Sequence, residues 1–251
     1  AHSTADFLAR RLADAPGVDV VPWARTCQLY PCAAKCAAGE CAAMCALAVR
    51  RAVGVHLGKA IKVFVCDCDH TLWDGAVSED GVHGIRVGGL HQQLQERMSR
   101  LQRAGRLVCL ASRNDEADVL LAFDERASEM ALCRPQLAAW RINWGPKTES
   151  LHELADELQL SMDSFAFVDD NPSEVEAVRH GLPEVWAMRA PSHDDAAFAR
   201  FLSHHWALDT WEGAPVTAED ARRTQMYQES AARGAARRQA ASYGAFLASL
   251  S

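Results

Sequence analysis

The sequence predicts an α/β fold, a parallel sheet flanked by helices. Short, continuously apolar runs recur along the chain: Lys62-Val63-Phe64-Val65-Cys66, Arg106-Leu107-Val108-Cys109-Leu110-Ala111 and Ser164-Phe165-Ala166-Phe167-Val168. Such runs suit strands buried on both faces. Between them lie amphipathic stretches of helical period, and alternating strand and helix builds a parallel sheet covered on both sides. The chain has 251 residues, 49% of them apolar and 24% charged. That is enough to bury a core without disulfides or a structural metal.

Residues 1–60 read as a helical N-terminal extension with breaks near Pro22 and Pro31. Its last helix ends in Arg50-Arg51 and Gly54, a basic final turn followed by a glycine stop. Residues 61–191 hold the alternation, with helices expected near 90–104, 115–126, 148–159 and 173–180 and a weaker fourth strand at Glu184-Val185-Trp186-Ala187. Residues 192–251 read as a helical C-terminal extension. Its stretch from 213 to 251 carries five arginines against three acids, a solvated helix face or a dock for an acidic partner.

Composition narrows the function. With 26 basic against 33 acidic residues the net charge is −7, which argues against a nucleic-acid binder with a general basic surface. No apolar run approaches the length of a membrane span, and the N-terminus shows no secretory pattern. A cytoplasmic protein with reduced thiols is therefore expected. Five of the nine cysteines, Cys27, Cys32, Cys36, Cys41 and Cys45, are clustered. They lack the two-residue spacing of a zinc knuckle, so they read as a helix face packing thiols into a core.

In a parallel sheet, ligands bind at the carboxyl ends of the strands. Read in order, those ends give Asp67-Cys68-Asp69-His70-Thr71, then Ser112-Arg113-Asn114-Asp115, then Lys147 before a helix, then Asp169-Asp170-Asn171. One reaction needs these groups together, phosphoryl transfer through an aspartate. Asp67 is the candidate nucleophile, forming an acyl phosphate. Asp69 is the candidate general acid and base. Asp67, Asp69, Asp169 and Asp170 are candidate ligands for Mg²⁺, a hard cation that takes oxygen donors. Ser112 and Lys147 are candidates to hold the phosphoryl oxygens. His70, Thr71, Arg113 and Asn114 are candidate substrate-binding residues. For His70 the alternatives are tuning of Asp69 or a purely local loop role. His193-Asp194-Asp195 and His204-His205 read as surface and helix termini.

Over residues 62–190 these motifs resemble the haloacid dehalogenase (HAD) superfamily. Within it, Asp69-His70-Thr71-Leu72-Trp73-Asp74-Gly75, Ser78-Glu79-Asp80-Gly81, Trp140-Arg141-Ile142-Asn143-Trp144, Phe167-Val168-Asp169-Asp170-Asn171-Pro172 and Arg223-Thr224-Gln225-Met226-Tyr227 resemble the FkbH-like branch. The resemblance implies a HAD-like Rossmannoid sheet. It also implies removal of phosphate from 1,3-bisphosphoglycerate and loading of a glyceryl unit onto an acyl carrier protein in polyketide synthesis. A simple phosphatase on a small or carrier-bound phosphorylated acid is one alternative, and an inactive carrier-docking module is another. The stretch Leu72–Gly89 allows only a minimal cap, a small hairpin flap. His70 stands where the branch usually has asparagine, Cys68 where it has leucine, and Ala111 where many relatives have cysteine or asparagine. Cys109 and Cys68 are then the candidate acyl-carrying thiols. The resemblance also suggests a domain of a larger polyketide synthase.

Overall fold

The computed structural model describes residues 61–208, 217–219, 222–230 and 233. The clustered N-terminal cysteines and most of the arginine-rich tail lie outside these residues. Five strands, β1 (Val63–Cys66), β2 (Leu107–Ser112), β3 (Leu137–Ile142), β4 (Phe165–Asp169) and β5 (Trp186–Arg189), form one sheet in the order β3-β2-β1-β4-β5. Every neighbouring pair is parallel. Within residues 61–208, six α-helices complete the alternation: α1 (Val77–Asp80), α2 (Gly89–Arg103), α3 (Glu116–Glu125), α4 (Lys147–Leu158), α5 (Pro172–Gly181) and α6 (Asp195–His204).

The central strands are apolar because both their faces are covered. Val63, Val65, Cys109, Phe165 and Phe167 face a core filled by Leu151, Leu154 and Leu158 of α4 and Val178 of α5. Strand side chains alternate, so Phe64, Val108 and Leu110 point to the opposite face, where Leu94, Met98 and Phe123 are also buried.

β3 is the strand that hydrophobic pattern alone does not reveal. It lies at a sheet edge, and its central Trp140 and Arg141 are only half-buried. Arg141 reaches Glu153 at 2.6 Å and Glu157 at 2.7 Å on α4. An edge strand with one open face has no need of a continuous apolar run. β5 falls two residues later than the expected 184–187.

The expected flap hairpin is reduced to one antiparallel bridge, Asp74 with Arg86, closed around the single-turn α1. Gly75 at its base has φ +100°, and a Cβ there would lie 2.6 Å from Asp80 Oδ2. Only glycine fits that turn.

Residues 222–230 are helical and bind the core near the β3 edge. Thr224 accepts from Gln102, and Gln228 donates to the Leu137 carbonyl at 2.7 Å and to Pro135 at 3.2 Å. No helix among the described residues is long and apolar enough to cross a membrane.

Candidate active site

Strand order fixes where chemistry can occur. The chain builds β1, β2 and β3 in one direction, then crosses to place β4 on the other side of β1. The crevice at the carboxyl ends of β1 and β4 is the switch point of such a sheet. Asp67 follows β1 there, while Asp169 ends β4 and Asp170 follows it.

Asp67, Asp169 and Asp170 each offer a carboxylate oxygen, and these atoms lie within 4.8 Å of one another. Lys147 Nζ stands beside them, 2.5 Å from Asp67 Oδ1, 2.5 Å from the Ala111 carbonyl and 3.4 Å from Asp169 Oδ2. All of these side chains are buried or nearly so. Burial and the neighbouring Asp67 push the Asp169 carboxyl up to about 7 and also raise Asp170. Burial works against the Lys147 charge, but Asp67 and Asp169 outweigh it and raise its pKa.

Three carboxylates face one ammonium, and Asp169 Oδ2 is buried without a hydrogen-bond donor. A hard divalent cation matches that donor set and that charge imbalance.

The Asp69 carboxylate lies outside this group of three, contrary to the four-ligand expectation. Its Oδ1 accepts from Trp73 Nε1 at 2.9 Å and Val77 N at 3.1 Å, and its Oδ2 from Asn114 Nδ2 at 2.8 Å. Thr71 is likewise used by the protein rather than left for substrate. Its hydroxyl donates to Asp170 Oδ1 at 3.3 Å and accepts from Asp170 N at 3.1 Å, which fixes that acid. Ser112 Oγ accepts from Asn114 Nδ2 at 3.2 Å. The cap of α3 is Asp115 rather than Ser112, which leaves the Ser112 hydroxyl at the strand end. Arg113 pairs with Glu174 at 3.0 Å, so its charge is already partnered. The Asn171 side chain caps α5, and its backbone N–H holds Asp169 Oδ1 at 2.8 Å.

His70 has φ +53°, a left-handed conformation that few residues other than glycine, asparagine and aspartate adopt. Its Nδ1 accepts weakly from Gly75 N at 3.4 Å. His193 is exposed, as its polar surroundings predict, and its Nε2 lies 3.4 Å from Asp170 Oδ2 with its ring 5.7 Å from that of His70. The signal for that proximity is its place just after β5, an element that lacks a strong apolar run. A cavity of about 500 Å³ is lined by Asp74, Arg86, His91, Ser192 and His193 among others, and His193 is its link to Asp170.

Cys68 and Cys109 are fully buried and free. Burial pushes the Cys109 thiol up to about 12 and raises Cys68 well above its ordinary value. A carrier thiol must be ionised and reachable, so neither is positioned as an acyl carrier.

No protein-family model matches the chain, and no curated protein does. A solved structure is similar: the N-terminal part of the protein BF1531 from Bacteroides fragilis, containing a phosphatase domain complexed with Mg. The TM-score is 0.59 at 29% identity, over 67% of this chain and 45% of that one. The chain thus spans under half the length of that protein's structure, and the two share an α/β fold.

Proposed function

We propose that the chain is a Mg²⁺-dependent phosphohydrolase or phosphotransferase of the haloacid dehalogenase type. The observation that carries this reading is the buried group of Asp67, Asp169 and Asp170 with Lys147 at the switch point. The likeness to a phosphatase domain complexed with Mg supports it.

Asp67, Asp169 and Asp170 would hold the cation, which supplies charge neutralisation between the anionic substrate and the acids when bound. An Asp67 carboxylate oxygen attacks phosphorus, and the bond to the leaving oxygen breaks. That gives an acyl phosphate on the enzyme, which water then cleaves. Asp69 hands a proton to the leaving oxygen and takes one from the water. Lys147 places a fixed positive charge beside the nucleophile, and the Ser112 hydroxyl adds a donor at the neighbouring strand end. The adjoining cavity gives the organic part of the substrate room outside the acidic group.

The finer reading is transfer of a glyceryl group from a 1,3-bisphosphoglycerate-like substrate to the phosphopantetheine thiol of an acyl carrier protein. The FkbH-like motifs and the small flap support it, since a flap of this size leaves the site open to a carrier arm. With Cys68 and Cys109 buried, the carrier thiolate would attack the acyl carbonyl directly and expel the C1 phosphate, while Asp67 would take up the phosphoryl group of the C3 ester and release the C3 hydroxyl. Incubation with bisphosphoglycerate, Mg²⁺ and a holo carrier protein, followed by intact mass, tests both levels. A glyceryl increment on the carrier supports transfer, and phosphate release alone supports a phosphatase. Neither outcome, with Asp67→Asn indistinguishable from wild type, rejects both.

A further inference from the structure

We propose that Trp73 and Asn114 are positioning residues that hold the Asp69 carboxylate in one orientation and leave Oδ2 as its proton-transferring oxygen. The proposal rests on the phosphoryl-transfer reading above. A carboxylate has about four lone-pair sites. Three are taken, two on Oδ1 by Trp73 Nε1 and Val77 N and one on Oδ2 by Asn114 Nδ2. The remaining site is on Oδ2.

Both side chains are built for the task. Trp73 is fully buried, and its ring packs edge-on against Phe123 of α3 at 5.6 Å and 70°. Asn114 is 2% exposed, and its Nδ2 also bonds Ser112 Oγ. Its amide nitrogen faces Asp69 Oδ2 at 2.8 Å. Asn114 Oδ1 has no hydrogen-bond partner among the described residues. The two donors come from separate elements, the flap and the β2–α3 loop, so they clamp Asp69 from two directions.

In the first half-reaction the Asp69 Oδ2 proton moves to the leaving oxygen as the Asp67 oxygen bonds phosphorus. In the second, Oδ2 takes a proton from water as the water oxygen displaces Asp67 and inorganic phosphate departs. Misplacing Oδ2 should therefore matter most when the leaving oxygen is basic and needs that proton.

The test compares glycerol phosphate, a poor leaving group, with p-nitrophenyl phosphate, a good one. In Trp73→Phe and Asn114→Ala, kcat/KM on glycerol phosphate should fall about tenfold or more while that on p-nitrophenyl phosphate stays within about threefold. Equal losses on both substrates, or none, overturn the proposal. Each variant's thermal midpoint with Mg²⁺ reports whether it folds, and if Trp73→Phe does not, Asn114→Ala decides the question. If the wild type releases phosphate from neither substrate nor from bisphosphoglycerate, the phosphoryl-transfer reading itself falls and takes this proposal with it.

Discussion

Lys147 occupies the first turn of α4, where the helix dipole disfavours a cation. Its burial there is explained by the two carboxylates it faces, Asp67 and Asp169. Lys147→Met leaves those acids uncompensated, and in metal-free protein at pH 8 it is predicted to cost on the order of 3–5 kcal/mol, measured by urea unfolding. The cost should shrink below pH 7, where Asp169 takes up a proton. At this scale much of the site was legible. Asp67, Asp169, Asp170 and Lys147 were each found from their position at a strand end or helix start. A spacing of two along a strand suggests that Asp69 points the same way as Asp67. The chain leaves strand geometry after Cys66, and the Asp69 carboxylate instead meets Trp73 and Asn114. The exposure of His193 is legible in its polar neighbours, whereas its proximity to Asp170 depends on the packing of β5 against β4, which local sequence does not report.

The flap is the element on which the orientation of the Asp69 carboxylate depends. Trp73 and Val77 within it hold Asp69, and the turn at Gly75 shapes it. Gly75→Ala combines a left-handed backbone with a contact to Asp80 and should destabilise the flap by about 1–2 kcal/mol. Hydrogen exchange should show faster opening of Ala76–Ile85 amides in that variant, with β1 and β4 protected as before. Equal loosening of the sheet would mean that the flap is not a separate unit of stability. Sequence pattern located the three central strands because burial on both faces writes itself as continuous apolar residues. It missed β3 for the opposite reason, since Ala138, Ala139 and Arg141 suit an edge whose polar side chain pairs with α4. Phe167→Ala, in the most enclosed layer, should cost about 3–5 kcal/mol by thermal or urea unfolding, as expected for a large aromatic removed from a packed core.

Across the whole molecule, the strand order places Asp67 and the Asp169–Asp170 pair on adjacent strands, though some hundred positions separate them in the chain. Binding a cation therefore links the two halves of the sheet. In metal-free protein, burial and the neighbouring Asp67 raise the Asp169 carboxyl above its unfolded value. The folded state then holds an extra proton between the ordinary carboxylate range and about pH 7, and this contribution to stability is lost as pH rises through that window. Mg²⁺ binding expels the proton, so the rise in thermal midpoint on adding Mg²⁺ should be larger at pH 8 than at pH 6. At a hundredfold excess over Kd the stabilisation should approach about 2.7 kcal/mol. A Mg²⁺ effect independent of pH would argue against Asp169 as a ligand. The central claim is that Asp67 carries the phosphoryl group, and acid quench of the enzyme during turnover of a phosphorylated substrate tests it most directly. Peptide mapping should find one phosphoryl increment on the segment containing Asp67, absent from Asp67→Asn, which should also release no phosphate. Phosphate release by Asp67→Asn at the wild-type rate, or a phosphoryl group trapped on another residue, would contradict the account.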